Sequence, residues 1–485
     1  MRQNSDNNIA FAILEATERF ADYPAIIAPD VTLSYNKFGR IIDTFVFQMK
    51  ALGVDRSSVV AVHSSDMIVS LASAIAAALL GARYAAASRF WFDHSAITPT
   101  HFLRSAETNA FPDHPFHVID DTWSPAITPV SRSMQQCVGF AKPSDHWLLL
   151  HSSGTTGAPK YMGLSADLVR RRAVATHDQF AGPEVRLCSL YGCQSRPFFA
   201  RAMAALMYGC AIVDTVDPVS AQKAGTTLVT GSPQHAKVFL EDQKSDVMLP
   251  EYETAGAKIS ADIAELLLRS FETVTEVYGA GETSKSYAQR IVAVSDGKIT
   301  KSALPAHCDL QIVSQAGAVC AAGESGEVRV RNSYLIDGYI GAPELTAKHF
   351  RDGWFYPGDI GHLTSEGVLV IAGRIDELIN LNGLKFDPKR VDDALALSEN
   401  VLAAACFAGT TENDEPTLFA FVEIAEGANA AQTVRGAHEV CVANVGPLYS
   451  PSQIFVVPHI PRTEDGAVRR HQCQQMAQEL LRRAR

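Results

Sequence analysis

Apolar positions fall into short compact runs separated by longer segments of mixed polarity, and this alternation persists through most of the chain. DRSSVVAVHSS, from Asp55, reads as a strand, because β-branched residues cluster between polar turn formers. The segment from Val69, VSLASAIAAALLGARYAAAS, reads as a buried helix, and LCSLYG and TTLVTGS read as further strands. Strands that alternate with helices predict parallel sheets covered by helices. Near Gly323 the texture changes. GEVRVRNSYLIDGYI, WFYPGDIGHLT and GVLVIAGR alternate apolar with polar residues around turn signals, as antiparallel strands do. Beyond Arg374 the pattern predicts a compact α+β tail: a helix in DPKRVDDALAL, strands in LAAACFAGT, TLFAFVEI and QIFVVPHI, and a terminal helix. We draw a boundary near Asp376, giving an α/β core over residues 1–375 and a smaller domain over 376–485.

Length and composition refine this picture. At 485 residues the chain exceeds what one hydrophobic core usually organises, which predicts two or more domains. With 47% hydrophobic and 20% charged residues it has the make-up of a globular chain. The formal charge of −11 disfavours a nucleic-acid partner, while leaving room for a local basic groove. MRQNSDNNIAFAILEATERF lacks the basic stretch, apolar core and cleavage site of a secretory leader. Ser70, Ser73, Gly81 and Arg83 interrupt the Val69 segment too closely for it to span a bilayer, so no membrane span is expected. The nine cysteines are scattered with no C-x-x-C pair, which argues against a zinc knuckle or a disulfide framework and points to a reducing, cytoplasmic location.

Candidate chemistry begins at LLLHSSGTTGAPKYM, Leu148 to Met162. A strand running into small hydroxyl and glycine residues exposes successive backbone N–H groups, which form a nest for anionic oxygens. Ser152, Ser153, Thr155 and Thr156 add hydroxyl donors, and Lys160 adds a compact positive charge. Phosphate is the guest such a loop would hold. The stretch is not a Walker A site, since Tyr161 follows Lys160 where that motif requires Ser or Thr. YGAGE supplies only G-x-G and lacks the third glycine of a dinucleotide fingerprint. In isolation, a Gly/Ser/Thr run is more often a plain surface loop.

The order of motifs changes that balance. HSSGTTGAPK, VYGAGETS, GWFYPGDIGHL, IAGRIDELINLNGLKFDP and PRTEDGAVRR follow one another, with TLSYNKFGR ahead of them and IDGYIGAPELTAKHF before Asp359. Together they resemble the adenylate-forming superfamily of acyl-CoA synthetases, carrier-loading adenylation domains and luciferases, over nearly the whole chain. The resemblance implies an α/β fold with a large N-terminal domain of stacked, mostly parallel sheets and helices plus a small β-rich subdomain, and a small mobile α+β C-terminal domain. It implies activation of a carboxylic acid as acyl-AMP by ATP and Mg2+, then transfer to the pantetheine thiol of coenzyme A (CoA) or of a carrier protein.

Residue by residue, the resemblance gives the β and γ phosphates to Ser152, Ser153, Gly154, Thr155, Thr156, Gly157 and Lys160. Glu282 would bind Mg2+, as a hard cation prefers, and Thr283 would donate to the α phosphate. Tyr278 and Gly279 would form the adenine wall, with backbone atoms of Gly256, Ala257 and Lys258 reading the base. Asp359 would accept hydrogen bonds from the ribose hydroxyls, with Arg374 a further ribose contact and Ile371 on the nucleotide side. Asp376 would be the hinge of the mobile domain, and Gly383 would let a pantetheine arm pass.

The chain departs from the family at several points. The last motif of the family ends G-K-x-x-R, but here it reads Gly466, Ala467, Val468, Arg469, Arg470, so alanine replaces the lysine that bridges acid and ATP. Arg470 matches the motif's own arginine. If the stretch is extended, the surplus Arg469 projects from the same face as Ala467 and substitutes in part. A slow adenylation half-reaction is expected. Tyr161 and Ala166 stand where relatives carry glycine and often histidine, and Cys193, Gln194 and Ser195 replace an aromatic-lined histidine motif. No F-D-x-S is present to bind an α-amino group, which disfavours an amino acid. Arg196 would pair with a second carboxylate or polar group of the acid, and the small Gly279, Ala280 and Gly281 leave room beside the adenine wall. The expected substrate is a small to medium organic acid, polar or aromatic. Two other readings stay open: an adenylating enzyme with a nitrogen or oxygen acceptor, and a degenerate nucleotide-binding member.

Overall fold

The computed structural model describes residues 7–86, 97–106, 114–131, 137–152, 160–241, 247–306, 308–375, 377–381, 384–410, 416–462 and 468–483. They form two compact units, the larger drawn from 1–152, 160–309 and 331–355, the smaller from 310–330 and 356–485. The smaller unit therefore also takes Leu310–Val330 and Tyr356–Ile375, which the sequence reading placed ahead of its boundary near Asp376. Asp376 itself lies outside the described residues.

Among the described residues, two sheets lie wholly within the larger unit. One has nine strands, with Leu249–Ala255 and Phe271–Ala280 parallel to each other and Ser284–Ser295 returning antiparallel. The other has six, all parallel except for the hairpin of His146–Ser152 with Lys160–Ser165. One continuous core joins them. It takes Ile26, Leu187 and Ile212 from the nine-stranded sheet, Val60, Leu103 and Leu148 from the six-stranded one, and Ile13, Phe38, Ile75 and Phe199 from helices. The α/β class, with mostly parallel sheets and helices, is as expected.

The strands expected at Val59–His63, Arg186–Ser189 and Leu228–Gly231 are present. The Val69 helix begins at Met67, where the Asp66 carboxylate caps the N–H groups of Ile68 and Val69, and stops at Leu80. Gly81 ends it in the left-handed conformation at φ 74°, where a Cβ would come within 2.2 Å of the Gly139 carbonyl oxygen. The chain then enters the strand Arg83–Ala86, which the sequence reading had absorbed into the helix. GEVRVRNSYLIDGYI also divides. Gly326–Arg331 is a strand, but the Asn332 side chain accepts from the Tyr334 N–H and Gly338 adopts φ 145°, so the rest runs irregularly.

In the smaller unit, Asp359–Leu363 and Leu369–Arg374 form an antiparallel pair, and Val401–Thr410, Pro416–Ile424 and Gln453–Val456 a three-stranded sheet. The helices Lys389–Leu395 and Arg470–Arg483 stand where the pattern placed them. Arg470, the first residue of the last helix, anchors it: its guanidinium pairs with buried Asp392 at 2.7 Å and donates to the Cys406 carbonyl.

Candidate active site

In open parallel sheets, ligands gather beyond the carboxyl ends of the strands. Two adjacent parallel strands of the nine-stranded sheet end at Ala255 and Ala280, with Ala255 in register with Val277. Gly256, Ala257 and Lys258 follow the first end, exposed, and half-buried Tyr278 stands beside them on the second, so the adenine-side candidates are neighbours. The Tyr191 hydroxyl holds the Ala255 carbonyl at 3.0 Å.

The turn Ala280–Ser284 carries Glu282. Gly279 is required at its base, since a Cβ there would lie 2.2 Å from the Ser284 carbonyl oxygen. Buried Arg172 clamps the turn from outside, donating to the carbonyls of Gly281 (3.0 Å), Glu282 (2.9 Å) and Tyr334 (3.0 Å). Burial, and then the charge of Arg196, push the Arg172 guanidinium down to about 9, with Glu282 partly offsetting them. The Ile336 N–H also reaches the Glu282 carbonyl, at 3.1 Å. The Glu282 carboxylate is itself buried. Its Oε1 accepts a 2.7 Å hydrogen bond from the Tyr339 hydroxyl, and no described residue bonds its Oε2.

Lys160 opens its strand opposite Ser152, so the two strand ends flanking the glycine-rich segment are register partners. Its ammonium lies 5.4 Å from the Tyr339 ring centroid and 3.4 Å from His349 Nε2. The loop residues Ser153, Gly154, Thr155, Thr156 and Gly157 lie outside the described residues, as do Gly383 and Ala467.

The remaining candidates make the following contacts. Thr283 is 1% exposed, and its hydroxyl donates to the Ser284 carbonyl while accepting from Ala280 N–H and Ser286, so it braces the turn. The Gln194 amide donates to the Ser64 carbonyl at 2.6 Å. Arg196 begins the helix Arg196–Met207, and a Cβ on Gly281 would stand 3.0 Å from its Nη1, which places the guanidinium beside the Glu282 turn. Val468 makes the last extended bridge, to Arg462, and the Arg469 carbonyl already accepts from the Cys473 N–H. Period-two alternation therefore does not set the direction of the Arg469 side chain.

Within the smaller unit, Asp359 and Arg374 are cross-strand partners, and their side chains pair at 3.1 Å. Arg374 also donates to the Pro357 carbonyl at 3.1 Å. Ile371 lies opposite Gly361 in the same ladder. Tyr339, Arg172 and His349 escaped the sequence reading. Tyr339 lay inside a quoted motif, IDGYIG, but no spacing rule ties it to a residue 57 positions away.

Mostly parallel sheets covered by helices, with the Glu282 turn at a strand end, are the arrangement of an adenylate-forming enzyme. The family model for AMP-binding enzymes matches residues 13–340, and the chain belongs to that family. It is 25% identical to the protein named "Probable CoA ligase CCL9" from Humulus lupulus, over 96% of both chains. It is also 25% identical to a sulfoacetate–CoA ligase from Cupriavidus necator, over 68% of this chain and 67% of that one. In fold it resembles O-succinylbenzoate coenzyme A synthetase (MenE) from Bacillus subtilis in complex with AMP. The TM-score is 0.81 at 18% identity, covering 95% of this chain and 97% of the other.

Proposed function

We propose that this protein activates a small organic acid with ATP as acyl-AMP, releasing pyrophosphate, and passes the acyl group to the thiol of CoA. The observation that carries the reading is the Glu282 turn: a buried carboxylate, locked by Arg172, with one oxygen held by Tyr339 and no described bond to the other. That single hard oxygen fits magnesium, which takes one or two carboxylates and completes its shell with water and phosphate. When bound there, the metal would neutralise charge building on the phosphates. Lys160 and the glycine-rich loop would hold the β and γ phosphates, Tyr278 and Gly256–Lys258 the adenine, and Asp359 the ribose. Asp376 and Gly383 would serve as hinge and tunnel. Sequence alone carries the roles of the loop residues, Asp376 and Gly383.

Arg196 sets the acid. Its guanidinium stands beside Gly281, with Nη1 3.0 Å from where a Cβ would lie, so an acid bound against that turn meets a cation. Sulfoacetate and O-succinylbenzoate, named for two of the relatives, each carry a second anionic group. We therefore assign an acid with a second carboxylate or sulfonate. The acceptor thiol is that of CoA, with a carrier-protein pantetheine as its chemical equivalent, and nine free thiols suit a reducing cytoplasm.

Mass spectrometry of a panel of mono- and dianionic acids, incubated with ATP, Mg2+ and CoA, tests this. Acyl-CoA should form from dianionic acids, and Arg196→Ala should raise their KM far more than that of a matched monoacid. Acyl-AMP without thioester would shift the assignment to a nitrogen or oxygen acceptor, and no product from any acid would overturn it.

A further inference from the structure

The segment Asn332–Ile340 abandons its strand pattern to do something a strand could not. Gly338, at φ 145°, packs against Thr346, and the Thr346 hydroxyl holds the Tyr339 N–H at 2.9 Å. Tyr339 also bridges Met162, and the Ile340 N–H reaches the Tyr161 carbonyl at 2.8 Å. The backbone of Tyr339 is thus stapled to the strand that Lys160 opens, while its side chain reaches the Glu282 turn. The ring is 6% exposed and packs edge-on against His349 and Phe350.

Building on the nucleotide-site reading above, we infer that Tyr339 is a positioning residue that couples the metal-binding carboxylate to the phosphate-binding lysine. Its hydroxyl donates to Glu282 Oε1 at 2.7 Å, which fixes the carboxylate plane and directs Oε2 toward a cation. Its ring presents a face to the Lys160 ammonium at 5.4 Å, within the range where the ring quadrupole attracts a cation. One side chain therefore sets two groups that must meet the same polyphosphate. Neither contact touches the reacting atoms, so the role is orientation.

Tyr339→Phe separates the two contacts, because it deletes the hydroxyl and keeps the ring. The readout is binding of Mn2+, followed by electron paramagnetic resonance, to protein saturated with the non-hydrolysable ATP analogue AMPCPP. Loss of an oriented carboxylate partner typically weakens a metal site about ten- to a hundredfold, and that rise in Mn2+ Kd is expected, with metal-free AMPCPP affinity unchanged. Tyr339→Leu removes both contacts and should weaken metal-free AMPCPP as well. In a Glu282→Gln background, Tyr339→Phe should have no further effect on Mn2+, a non-additivity that a merely structural role would not produce. Wild-type Mn2+ affinity in Tyr339→Phe, or an equal loss in the Glu282→Gln background, overturns the inference alone. Wild-type protein that does not bind AMPCPP overturns the nucleotide-site reading along with it.

Discussion

A single methyl group at position 281 would land 2.7 Å from Met162 Cε and 3.0 Å from Arg196 Nη1. The thioether end of Met162 can yield, but the guanidinium has to shift by tenths of an ångström. Small displacements of a binding group near a reacting centre cost on the order of tenfold or more. Gly281→Ala should therefore lower kcat/KM for the acid by about that factor, with the KM for ATP changing less, in steady-state assays with each substrate varied. A second residue-scale prediction rests on sequence. With alanine at 467 a preorganised cation is missing, and one such group is worth on the order of a hundred- to a thousandfold. Ala467→Lys should raise ATP–pyrophosphate exchange toward that extent, while Arg469→Ala in the native chain should lower it. An exchange rate unmoved by either change would remove Arg469 and the alanine from the argument.

At the scale of elements, the site is aligned by a charge cluster that leaves no sequence pattern. Glu253, on the strand that ends beside Gly256, is 1% exposed and pairs with Arg201 at 2.6 Å and Lys285 at 3.0 Å, while Gln179 donates to it at 2.6 Å. Arg201 belongs to the helix that Arg196 begins, and Lys285 follows the Glu282 turn. Three elements carrying candidate groups are thereby joined. Burial alone would raise the Glu253 pKa, but Lys285 and Arg201 overcome it and hold the carboxyl well below the usual range. A depressed folded-state pKa makes this contribution complete above the unfolded glutamate value of about 4.3, and it is lost as pH falls through the folded value. Glu253→Gln leaves two half-buried cations without their buried partner, so it should cost about 3 kcal/mol at neutral pH. It should also flatten the acid limb of stability below about pH 4.3, as read by urea unfolding at several pH values. Periodicity reveals which elements exist, as it did for Val59–His63 and Lys389–Leu395, because burial on one face imposes it. It does not reveal that NSYLIDGYI breaks after Arg331, since a glycine at φ 145° and an Asx turn override the alternation there. Nor can it pair Glu253 with residues 52 and 32 positions away.

At the scale of the whole molecule, the residues that the resemblance assigns to the nucleotide fall in both units: Lys160, Tyr278 and Glu282 in the larger, Asp359 and Arg374 in the smaller. Ordered motifs made this chemistry legible, because acid activation needs the same charges wherever it occurs, whereas the division into compact units depends on packing that no motif encodes. The resemblance to adenylate-forming enzymes implies that the domain beyond Asp376 turns about that residue between adenylation and thioester formation. A hinge absorbs a backbone change at a few positions, and proline removes that freedom by fixing φ near −65°. Asp376→Pro should therefore affect the two half-reactions unequally. If proline favours the adenylating arrangement, ATP–pyrophosphate exchange should stay within about a factor of ten of wild type, while single-turnover transfer from preformed acyl-AMP to CoA falls on the order of a hundredfold. Favouring the other arrangement should reverse the asymmetry. Equal losses in both half-reactions, with an unchanged Tm, would show that position 376 does not divide them and would remove the hinge from the mechanism.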